Sequence, residues 1–146
     1  MKTIAQSGRQ LLWAVLSIVA VLFAGCANMA TTQNVQVTLN GSQEVPPVTT
    51  AATGIGTITV GADKSVSGSV TTSGVVGVAA HIHDGMQGKN GPVIVPMSKT
   101  SDNTWSVPAA AKFTDAQFES FKAGNLYVNV HSAANKGGEI RGQLKP

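Results

Sequence analysis

The chain has 146 residues, 42% hydrophobic and 12% charged, with a formal net charge of +3, which suits one domain with a packed core. Two of its ten basic residues, Lys2 and Arg9, fall in the first 25 positions, so the remainder carries eight basic against seven acidic residues. That near-neutral balance, without clustered Lys/Arg, disfavours a nucleic-acid partner, and a single cysteine excludes an internal disulfide.

The first element is a leader. Lys2 and Arg9 precede an apolar run from Leu11 to Ala24, broken only by Ser17. The run is short of the roughly 20 residues a spanning helix needs and has the form of an export signal over residues 1–25. Ala24-Gly25-Cys26 resembles the signal of bacterial lipoproteins, in which the cysteine thiol receives diacylglycerol. The expectation is a protein held to the membrane through Cys26, and Ala27 in place of Asp implies the outer membrane, facing the periplasm or the surface. Residues 26–33 then read as the lipidated cysteine and a small, polar tether, and 34–146 as the folded domain.

Within that domain, Val35, Val37 and Leu39 alternate with polar residues, as do Ile58 and Val60 in "GIGTITV". Further runs follow at "SVSGSVTT", "GVVGVAAHIH", "PVIVPM", "NTWSVP", "NLYVNVH" and "GEIRGQL", each bounded by Gly, Pro, Asn, Asp or Ser. About eight short strands so punctuated predict an antiparallel β-sandwich or barrel. One segment breaks the pattern: in "KFTDAQFESFKAGN", Thr114 and Gln117 form a capping box, Phe113 and Phe118 a staple, and Gly124 a stop, which predicts one short helix. Phe118 and Phe121 share a face and are expected to cover one end of the sheet structure. No phosphate loop and no Gly-x-Ser-x-Gly elbow is present.

The chemistry concentrates at strand ends. On "GVVGVAAHIHDG", alternation sends Val78, Ala80 and Ile82 one way and His81 and His83 the other, with the two imidazoles about 7 Å apart along the strand. On "NLYVNVH" it buries Leu126, Val128 and Val130 and turns Tyr127, Asn129 and His131 outward. If the two strands adjoin, three neutral imidazoles converge, a donor set that suits copper or zinc. Glu139, returned by the "SAANKGG" loop, is placed to orient His131 as an outer partner. Met86 and Met97 flank the glycine loop as possible Cu(I) donors or gap fillers. The alternative is that the histidines only brace "HDG…GKNG" as a loop unit. Gly137 and Gly138 are expected to supply positive φ to the last hairpin, and Glu44 to accept loop amides.

"LNGSQEVPPVTTAATGIGTITV", "AAHIHDGMQGKNGPVIVPM" and "LYVNVHSAANKGGEIRGQL" together resemble the CHRD domain, named for chordin and found in many bacterial secreted proteins; the likeness runs from Asn34 to Leu144. The resemblance implies an immunoglobulin-like β-sandwich with a distant likeness to copper,zinc superoxide dismutase. In that dismutase a His-x-His strand supplies two copper ligands and a later strand-end histidine another, which His81, His83 and His131 resemble. No fourth histidine and no cysteine pair is present, so a two-metal dismutase is disfavoured. Arg141 reads as an outward strand residue beside Glu139. Three readings follow: a non-enzymatic binding module of the cell envelope with a protein or ligand partner, which the sequence favours; a copper- or zinc-binding envelope protein; and a mononuclear copper enzyme of dismutase type.

Overall fold

The computed structural model describes residues 31–146; the leader, Cys26 and most of the tether lie outside the described residues. Nine strands form one antiparallel sheet: β1 Gln33–Asn40, β2 Thr53–Val60, β3 Val66–Ser73, β4 Gly77–Asp84, β5 Val93–Pro96, β6 Ser98–Ser101, β7 Thr104–Ser106, β8 Leu126–Ser132 and β9 Ile140–Leu144. Their order across the sheet is β5-β4-β8-β9-β1-β2-β3-β7-β6. The two outermost strands are consecutive in the chain, joined at Met97, whose amide donates to the Ala80 carbonyl at 2.9 Å. One extended segment therefore pairs with β4 at its start and β7 at its end, and the sheet wraps into a nearly closed barrel around its core.

The alternating pattern produces that core directly. Val35, Val37 and Leu39 of β1, Ile58 and Val60 of β2, and Leu126, Val128 and Val130 of β8 are all buried. The expected helix forms as α1, Asp115–Lys122. Thr114 Oγ1 accepts from the Gln117 amide at 3.2 Å, and the Thr114 amide donates to Gln117 Oε1 at 2.9 Å. Gly124 ends it at φ +71°. Phe121 is fully buried, with the rings of Phe118 and Phe113 packed 6.3 and 6.1 Å away, so the helix plugs one end of the barrel.

Three departures from the alternation matter. The register shifts between Gly77 and Ala79, which throws Val78 outward to 59% exposure instead of into the core. β6 has no apolar alternation to betray it, because all four of its residues are exposed. On β8 and β9 the side facing away from the core is also buried: Tyr127, Asn129, Arg141 and Gln143 lie under the loops after β1 and β4. These central strands thus carry an apolar layer inside and a polar layer outside, and the candidate site sits in the polar one.

Candidate metal centre

β4 and β8 are neighbours, and their register sets Ala79 opposite His131, His81 opposite Asn129 and His83 opposite Tyr127. His131 is therefore diagonal to His81 on the same face, and the three imidazoles offer ligand nitrogens that all lie within 4.8 Å of one another. His81 Nδ1 and His131 Nε2 are 3.0 Å apart.

Two backbone carbonyls fix the rings. His83 Nδ1 donates to the Gly91 carbonyl and His131 Nδ1 to the Lys136 carbonyl, each at 2.9 Å. A proton held on Nδ1 puts the lone pair on Nε2, the tautomer a metal ligand needs; that of His131 accepts from His81 Nδ1, whose proton a metal would displace. His83 Nε2 is buried with no hydrogen-bond partner, which ordinarily costs stability. Burial lowers the pKa of His81, with His131 and His83 pushing the same way. Burial also lowers that of His83, against the Gly91 hydrogen bond and with the help of His131 and Arg141. Both are thus neutral, and able to donate a lone pair, at neutral pH.

The loop supplying Gly91 is clasped from below. Arg141 Nη1 donates to the Lys89 carbonyl at 2.9 Å, and Nη2 to the Met86 carbonyl at 3.0 Å and to Gln143 Oε1 at 3.1 Å. Its guanidinium lies on the Tyr127 ring, whose plane stacks on His83 at 4.8 Å and 9°. The Gly91 amide donates to the Tyr127 hydroxyl at 3.2 Å. Gly91 has to be glycine, since a Cβ there would lie 1.6 Å from the Asp84 carbonyl oxygen. Arg141, expected as an exposed strand residue, is instead 1% exposed: the long loop after β4 covers its strand and takes its donors.

Glu139 makes no hydrogen bond to the His131 ring, whose Nδ1 is taken by the Lys136 carbonyl. It accepts from Thr50 Oγ1 at 2.9 Å. A hydrogen bond from Ser132 holds its carboxyl below the usual range against partial burial, with Thr50 and Asn135 adding to the effect. The outer partner of His131 is the Lys136 carbonyl, a backbone group that residue identity does not reveal. Met97 is buried in the core, and Met86 is exposed beside the end of α1, so neither joins the imidazoles. Of the two loop glycines only Gly138 takes positive φ, at +136°.

The CHRD domain family matches residues 35–144, three quarters of the chain and every strand. The chain belongs to the CHRD domain family. No curated protein and no solved structure matches it. Within this CHRD domain the His-x-His strand and the strand-end histidine come together, while Arg141 is committed to the loop after β4.

Proposed function

We propose that this CHRD-domain protein is a mononuclear copper- or zinc-binding protein of the cell envelope, exported and anchored through Cys26, with His81, His83 and His131 as ligands. The observation that carries the reading is the buried, unpartnered Nε2 of His83 beside two further imidazole nitrogens. Two nitrogens bound to one zinc at about 2.0–2.1 Å in tetrahedral geometry stand roughly 3.3 Å apart, close to the 3.0 Å separating His81 from His131. The spacings, which reach up to 4.8 Å, must close toward that same value on binding. Three protein nitrogens leave a fourth position for water or an exogenous ligand, and His81, only half-buried, keeps that side open.

Superoxide is an anion, and Arg141, with its donors occupied by Lys89, Met86 and Gln143, is not free to draw one to the imidazoles, which favours binding over turnover. The lipid anchor and envelope location rest on the leader pattern and Ala24-Gly25-Cys26.

The test is a Cu(II) and Zn(II) titration of residues 34–146 beside a His81→Ala, His83→Ala, His131→Ala variant. One metal per wild-type chain, lost in a folded variant, is the expected result. Equal binding by both removes the metal reading and leaves an envelope recognition module. An unmodified Cys26 in protein purified from membranes, read by mass spectrometry, would remove the anchor.

A further inference from the structure

Among the described residues, Glu44 is the only carboxylate that is fully buried, at 4% exposure, and it lies in the same polar layer as the three imidazoles. Its Oε2 accepts from Asn129 Nδ2 at 3.4 Å, and Asn129 is the ladder partner of His81. Glu44 Oε1 and Asn129 Oδ1 are both buried and without a hydrogen-bond partner. Gly138 closes over them so tightly that a Cβ would sit 2.7 Å from Glu44 Oε1 and 2.5 Å from Asn129 Oδ1. Two buried acceptor oxygens thus face the same glycine with no donor between them. A proton on the carboxyl turns one acceptor into a donor and needs no further room.

We propose that Glu44 is the charge-compensating residue of the three-histidine site: it holds a proton while the site is vacant and releases it to solvent when a dication binds. The inference rests on the metal-binding reading. Three neutral imidazoles bring no negative charge to balance a dication, and the nearest buried charge of either sign besides Glu44 is the cation Arg141. The groups facing Glu44 are Arg141 from β9, Lys136 lining the recess on the loop after β8, and His81 and His131 beyond Asn129; Glu139 of the same loop is turned to Thr50. Burial pushes the Glu44 carboxyl up to about 7, against the pull of Arg141 and of the Asn129 hydrogen bond. A dication held on the far side of Asn129, in a medium of effective dielectric about 20, pulls that midpoint down. The balance is simple: the metal ion enters, the Glu44 O–H bond breaks, and the proton goes to solvent. The carboxylate that remains offsets half of the added charge.

The experiment is calorimetric titration of Zn(II) into the wild-type protein and Glu44→Gln, in two buffers of different ionisation enthalpy, about one pH unit below the Glu44 midpoint of about 7. Wild type should release about one proton more per zinc than the variant, and its affinity should rise tenfold or more above the variant's as pH is raised past the midpoint. Equal proton counts with normal zinc uptake overturn the role of Glu44 and leave the three-histidine reading standing. If zinc binds neither protein, both fall together. Infrared difference spectra of the wild type alone guard against a misfolded variant. The band of a protonated carboxyl should be present before zinc and vanish with it, and no such band in the vacant protein overturns the proposal.

Discussion

The Arg141 guanidinium lies 3.4 Å from the centre of the Tyr127 ring, and the opposite consequence of that contact is felt at His83, which stacks on the same tyrosine. An arginine that touches no ligand thereby helps position one. Arg141→Met leaves the Lys89 and Met86 carbonyls without their donor and loosens the loop that carries Gly91. The expected cost is about 3 kcal/mol in denaturant unfolding, with faster hydrogen exchange across residues 85–91 and weaker metal uptake. Arg141→Lys should not restore it, because one ammonium cannot reach three acceptors and stack on the ring.

Gly138 and Gly137 are neighbours that should respond oppositely to alanine. At Gly138 a Cβ meets Asn129 and Glu44 within 2.7 Å, and its φ of +136° is one L-residues rarely adopt. Gly138→Ala is expected to cost about 2 kcal/mol or more and to displace the Lys136 carbonyl from His131. Nothing lies within 4 Å of a Cβ at Gly137. Gly137→Ala should stay within about 0.5 kcal/mol of wild type, and urea midpoints of the pair decide the matter.

Stability should fall as pH rises through the Glu44 titration. Its carboxyl is raised in the folded state from 4.5 to about 7, so the folded chain binds the proton more tightly than the unfolded one. The stabilisation is complete below 4.5, declines above it, and is lost once pH passes about 7. Wild type is expected to lose on the order of 2 kcal/mol across that window, and Glu44→Gln should lose less. Unfolding curves of the two metal-free proteins at matched pH measure the difference.

Thr114→Ala provides the control for stability without function. It removes the hydroxyl that caps α1 and should cost about 1 kcal/mol. The helix plugs the barrel through Phe121 and supplies nothing to the imidazoles, so metal stoichiometry should be unchanged.

The elements that sequence made legible are those encoded locally. Alternation in "NVQVTL" and "NLYVNV" and the Thr114–Gln117 box each specify their structure within a few residues. The two histidines of β4 were visible for the same reason; their meeting with His131 depends on the pairing of strands more than 40 positions apart, which no local pattern specifies. The groups that hold the rings, the Gly91 and Lys136 carbonyls, are backbone and carry no side-chain signature. Arg141 reads as exposed from sequence because alternation reports which face a side chain takes and not whether a distant loop covers that face. "GMQGKNG" supplies the cover, and Gly85 and Gly91 are the signal that a chain passes close by.

The strand ladders also give the molecule a polarity. β1 starts at Gln33 and ends level with Arg141, which is level with Asn129; His131 lies two residues further on. Counted along the strands, His83, His81 and His131 stand roughly 17, 23 and 30 Å from the point where the chain enters the barrel. Whatever Gln33 is tethered to, the histidine cluster is carried in the half of the barrel away from that entry, within reach of whatever approaches from the other side.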